Sequence, residues 1–201
     1  MRPTLLCSAL LLAAGLGSVP LAAQDARLAA RLPTGTRLAV ERLMDSARAG
    51  GLPTEPLVRK ALEGESKGAD SARIVSAVAS LARYLGQARQ ALGAGADEAT
   101  LVAGAAALRA GAQPARLRAL DSLRSRERLA VPLSVLADLL TSGVEPERAW
   151  TTVRQMATQG APDADFLELR ERLTGARQGL PPAAERPPTA APLPAPHGPS
   201  P

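Results

Sequence analysis

Hydrophobic positions recur at spacings of three and four along most of this chain, and nowhere do they alternate with polar ones. Three short stripes stand out: Leu57, Val58, Ala61 and Leu62; Leu101, Val102, Ala105 and Leu108; Trp150, Val153, Met156 and Ala157. Each predicts a short helix with one apolar face. A longer stripe, Ile74, Val75, Val78, Leu81 and Leu85, predicts a helix from near Asp70 onward to Leu92, and further long helices are expected to start near Pro114 and Asp163. With no strand pattern in competition, the chain reads as all-α.

The segments between the stripes repeat. Gly68, Gly111 and Gly160 each open the phrase G-A-x-x-A-x-apolar, at offsets of 43 and 49 residues. A glycine behind an apolar-periodic run ends a helix in the left-handed conformation, and the small residue after it packs back on the last turn. Asp70, Pro114 and Asp163 then supply the capping acceptor or the preset φ of a new helix. Upstream of each phrase lies a second joint, at Gly51, Gly95 and Gly143, and the distances to its partner glycine are 17, 16 and 17. Shorter echoes accompany these: Arg37-Leu38-Ala39-Val40 with Arg128-Leu129-Ala130-Val131, and Leu85–Leu92 with Leu173–Leu180. The expected fold is a short helical repeat array, α-solenoid-like or an irregular helical bundle, of about three repeats of about 45 residues.

Both ends depart from this pattern. Arg2, an apolar run from Leu5 to Leu16 and the small residues up to Ala23 have the layout of a secretory signal peptide, with cleavage expected after Ala23. Residues 24–36 are expected as a flexible lead-in and 37–180 as the helical repeat domain. Residues 181–201 hold nine prolines among Ala, Ser and Gly, and are expected as a disordered tail that acts as a spacer or, through Pro192–Pro196, as a polyproline II ligand. No segment after the leader has the length and apolarity of a membrane span. The expected location is therefore the periplasm or the exterior of a bacterium.

Candidate chemistry is sparse. The single cysteine, Cys7, lies in the leader, so the exported chain has no disulfide or thiolate site. The single histidine, His197, sits in the tail without a fixed orienting partner, which excludes Ser–His machinery and histidine zinc sites. Asp163, Asp165, Glu168 and Glu171 cluster at one helix start and Asp97-Glu98 at another, where acids cap amides and offset the dipole. Ser66-Lys67 has the residue types of a serine–lysine dyad but lies in a joint, where solvated turn chemistry is expected. Net charge is +5, carried almost wholly by arginine, and Arg116, Arg118, Arg124, Arg126 and Arg128 form the densest run. Interleaved Asp121 and Glu127 make a solvated, salt-bridged surface the expected reading, and nucleic acid an unexpected partner.

Only three aromatic residues, Tyr84, Trp150 and Phe166, are present, too few for a stacking platform. No catalytic, metal or cofactor site is expected. The expected function is a non-catalytic module or scaffold of the bacterial envelope with a protein partner. Trp150 is expected in the core from its place in the apolar stripe and, if exposed on the helix face, is the residue proposed to meet that partner. The alternative is a basic binder of polyanions or of the envelope surface; a carboxylate-only enzyme ranks below both.

Overall fold

The computed structural model describes residues 21–125 and 129–178, and the regular structure there is helical throughout. Nine helices follow in order: α1 (Leu21–Arg31), α2 (Thr34–Ala49), α3 (Glu55–Ser66), α4 (Ser71–Leu92), α5 (Glu98–Arg109), α6 (Pro114–Leu123), α7 (Ala130–Thr141), α8 (Pro146–Thr158) and α9 (Asp163–Gln178). No helix among the described residues is long and apolar enough to cross a membrane. Most of the expected leader, the tail 181–201 with its Pro192–Pro196 segment and His197, and Arg126 and Arg128 lie outside the described residues.

The chain divides into two compact units, Met1–Ala105 and Ala106–Pro201. In the first, α4 packs against α2 and α3, and α1 packs against α2 and α3. Leu28, Val40, Met44, Leu57, Val78 and Leu85 are buried at its centre. In the second unit, α7 packs against α8 and α9, and α6 packs against α8. Its interior holds Leu117, Leu120, Leu133, Leu136, Val153 and Phe166.

Five of the six expected glycine joints are built as the sequence predicts. The Gly51 amide donates to the carbonyl of Arg48 at 2.9 Å and the Leu52 amide to that of Ala47 at 2.8 Å. This pair of bonds is a Schellman motif, which satisfies carbonyls that the helix end leaves orphaned. It recurs with the same spacing at Gly68, Gly111, Gly143 and Gly160, and each of the five glycines has positive φ. New helices then start on side-chain acceptors: Asp70 accepts from the Arg73 amide at 2.8 Å, Asp97 from that of Thr100 at 2.7 Å. Glu145 accepts from the amides of Glu147 and Arg148 at 2.9 and 2.7 Å.

Three expectations are corrected. Residues 24–36, expected as a flexible lead-in, are largely helical: Leu28 and Leu32 are buried, and Arg27 bonds the Glu55 carboxylate. The joint expected at Gly95 turns at Gly93 instead, because α4 continues to Leu92 and the first glycine beyond it takes φ 82, ψ 170, a backbone open only to glycine. Finally, the helix from Pro114 is short, with 10 residues, and a separate α7 follows for which the short-then-long scheme has no place. Arg124 leaves α6 with extended backbone at φ −132 and ψ 151. Pro132 sits in the first turn of α7, where its missing N–H is no loss.

Candidate partner-binding groove

Trp150 lies in the second unit, on the first half of α8, and is half-buried. The apolar face of this helix is centred on Ala149, Val153 and Ala157, all buried, so Trp150 stands at the edge of the stripe instead of within it. Two guanidinium groups flank its ring. That of Arg116, from α6, is 5.6 Å from the ring centroid, and that of Arg154, one turn along α8, is 6.0 Å away. Cations attracted to the ring quadrupole hold an aromatic side chain in place at a half-open site.

Arg116 also fastens α6 to the start of α8. It donates to the Pro146 carbonyl at 3.1 Å and to the Glu147 carboxylate. The Glu145 carboxyl is held below its usual range by the amides of Glu147 and then Arg148, which bond its charged form. At the other end of α6, Arg124 donates to the Ala161 carbonyl at 2.7 Å and to Asp163 at 3.0 Å, and lies 5.0 Å from the Phe166 ring centroid. The side chains of Arg116 and Arg124 are only 12% and 4% exposed. The arginine run is thus corrected from a solvated surface to a set of inward clamps at these two positions, because each guanidinium finds a carbonyl and a carboxylate at a helix start. Arg118 stays exposed.

An open groove of about 680 Å³ runs along α6 and α8, and Arg154, which lies 6.0 Å from the Trp150 ring, is part of its wall. Helix α6 lines it with Ala119, Ser122 and Leu123, and α8 with Thr151, Arg154, Gln155, Thr158 and Gln159. The wall contains no acid, and two of its hydroxyls are spent within their own helices: Ser122 donates to the Ala119 carbonyl at 2.8 Å and Thr158 to that of Arg154 at 2.9 Å. Leu123 is 40% exposed, a high value for a large apolar side chain. The sequence reading missed this groove. Its legible trace is the run of uncharged polar residues Thr151, Gln155, Thr158 and Gln159 at helical spacing, beside the apolar stripe of α8.

The remaining candidates do not come together as a site. Ser66 donates to the Glu63 carbonyl at 2.9 Å, whereas Lys67 pairs with the Glu63 carboxylate at 2.5 Å. Asp163 is held by Arg124, Glu168 pairs with Arg172, and Asp165 and Glu171 are exposed. Among the described residues no group of three or more His, Cys, Asp or Glu is placed to hold a metal. Tyr84 lies in the first unit, under the Arg83 guanidinium at 4.6 Å.

No protein-family model matches this chain, and neither the curated proteins nor the solved structures contain a match to it.

Proposed function

We propose that this chain is an exported, non-catalytic helical-repeat protein of the bacterial envelope that binds a protein partner through the α6/α8 groove. The observation that carries the reading is the groove itself: an open channel without acids whose wall includes Arg154, a guanidinium that also lies 6.0 Å from the ring of half-buried Trp150. Aromatic and arginine side chains dominate the energetics of protein interfaces, and pre-positioned ones lose little entropy on binding. Export is supported by the leader up to Ala23. Absence of catalysis is supported by the engagement of the acids in capping and ion pairing.

A second reading, attraction to polyanions or to the envelope surface, is supported by Arg42, Arg109, Arg118 and Arg148, which are exposed. One experiment separates the two. The chain from Gln24 onward serves as bait in an envelope fraction at low and moderate salt, beside a Trp150→Ala, Arg154→Glu variant. A single partner kept at moderate salt by the parent and lost by the variant is expected. Diffuse capture that salt removes equally from both proteins sinks the groove reading in favour of nonspecific charge.

A further inference from the structure

We propose that docking of α1 closes the leader's cleavage site, so that the leader is removed only while the first unit is unfolded or α1 is detached from it. The inference rests on the reading of residues 1–23 as a cleaved leader, and adds to it an order of events: cleavage first, docking of α1 second. Three observations carry it.

The first is where the scissile bond lies. Cleavage after Ala23 breaks the peptide bond to Gln24: water adds to the Ala23 carbonyl carbon, and the products are the Ala23 carboxylate and the Gln24 α-amine. Helix α1 runs from Leu21 to Arg31, so both residues have helical backbone. A helix winds these atoms 3.6 residues to the turn, whereas an extended peptide is what a binding cleft can pair with along its backbone. Proteolytic nicking accordingly falls on segments without regular structure, and a folded segment is cut through its opened state. The flexible lead-in that the sequence predicts from residue 24 onward leaves the bond accessible; helix α1 does not.

The second is how soon the body of the first unit begins. Arg27, the fourth residue after the bond, donates to both carboxylate oxygens of Glu55, at 3.1 and 2.5 Å. Arg31 donates twice to one oxygen of Glu65, at 3.1 and 2.9 Å. Between them Leu28 is fully buried, Leu32 follows it into the interior, and α1 packs against α2 and α3. A cleft that holds a few residues on each side of the bond therefore competes with the first unit for Arg27 and Leu28. The third is what cleavage leaves behind. Residues 24–31 are eight of the 11 residues of α1, and they include Arg27, Leu28 and Arg31. Docking needs nothing from the leader, so the order of the two events decides whether the leader leaves.

The test follows cleavage of the full chain, Met1–Pro201, in detergent micelles by a purified bacterial signal peptidase, beside a peptide of residues 1–30 in the same micelles. Mass spectrometry identifies the bond cut and gives the rate. The peptide is expected to be cut between Ala23 and Gln24, and the folded chain about ten-fold more slowly, because cutting waits on detachment of α1. Glu55→Gln combined with Glu65→Gln removes the carboxylates that hold Arg27 and Arg31 without altering any residue near the bond. It should speed cleavage of the chain several-fold. Leu28→Ala should speed it at least as much in the chain and leave the rate of the peptide where it was. Equal rates for the peptide and the parent chain overturn the proposal. So does slow cutting that neither variant relieves, since bulk alone then shields the bond. A peptide left uncut at Ala23 sinks the leader reading and the proposal with it, whereas the other two failures leave that reading standing.

Discussion

The two units use one joint scheme to different ends. Gly51 and Gly143 lie 92 residues apart, as do Gly68 and Gly160, and Glu55 and Glu147, at the same offset, lie in the first turns of α3 and α8. Both glutamates receive an arginine from the helix that precedes them across the packing: Arg27 of α1 in the first unit, Arg116 of α6 in the second. What differs is the filling. Val58 is fully buried, whereas Trp150, its counterpart at the same spacing, is half-buried between cations. Ile74 corresponds to Phe166, which is buried under Arg124. Aliphatic packing buries Val58 in the first unit, while in the second Trp150 stays half-buried beside Arg116 and Arg154. A frame of Schellman joints and arginine clamps therefore tolerates a change from a buried aliphatic to a half-exposed aromatic side chain without altering the order of helices.

The sharpest way to break this comparison is to remove the paired core residues. Ile74→Ala and Phe166→Ala are each expected to cost about 3–4 kcal/mol. Trp150 is the sole tryptophan, so its fluorescence during urea unfolding follows the second unit. Phe166→Ala should lower that midpoint and Ile74→Ala should leave it in place. Equal shifts would mean that the units unfold as one body. Next in size, Arg124→Ala is expected to cost about 2 kcal/mol, since it strips a nearly buried cation from a carbonyl, a carboxylate and a ring. Arg89→Ala removes an exposed bond to the Gly51 carbonyl in the first unit and should cost less than about 1 kcal/mol. If the two costs match, burial does not set the strength of the clamps.

The joints should respond alike. Gly68 and Gly160 have φ of 67 and 70, and a methyl group added at either meets nothing within 4 Å. Alanine at each position thus tests the backbone alone, at about 1 kcal/mol. Unequal costs, measured by urea unfolding of the two variants, would show that the two joints are not equivalent.

These joints were legible in the sequence because a Schellman ending is local: glycine, the residue after it and the last helical turn are contiguous. Helix type was legible for the same reason, since the spacing of Ile74, Val78 and Leu85 fixes a face without knowledge of its neighbour. The clamps were not. Arg27 meets Glu55 across 28 residues and Arg124 meets Asp163 across 39, and no local spacing distinguishes such an arginine from Arg118, which stays in water. The groove was hidden for a related reason. Trp150 falls at core spacing in the sequence, but the centre of the buried face lies at Ala149 and Val153, so a rotation of one residue moves Trp150 to its rim. Gly93 displaced Gly95 because a helix stops where its last apolar residue, Leu92, is still buried, and only the packed structure determines that.

The smallest expected effect is electrostatic, and it separates the units by the nature of the groups that stabilise a charge. Glu63, in the first unit, is held down at about 2, chiefly by hydrogen bonds from Lys67 and then Lys60. Glu145, in the second, is lowered by backbone amides that the fold keeps in place. A depressed carboxylate contributes stability that is present above its unfolded value near 4.5 and is lost as pH falls toward 2. Because the Glu63 side chain is 42% exposed, solvent screens the gain, and Glu63→Gln should cost about 0.5 kcal/mol at pH 7 and nothing below pH 2. Carboxyl carbon signals followed through an acid titration give the sharper reading. Added salt should raise the Glu63 midpoint, since its partners are mobile lysines, and move Glu145 less, since its partners are amides of the first turn of α8. Lys67→Ala should raise the Glu63 midpoint more than Lys60→Ala does, and neither should touch Glu145. Equal salt responses would mean that long-range charge, and not the local partner, sets both values, which would remove electrostatics from the list of differences between the units.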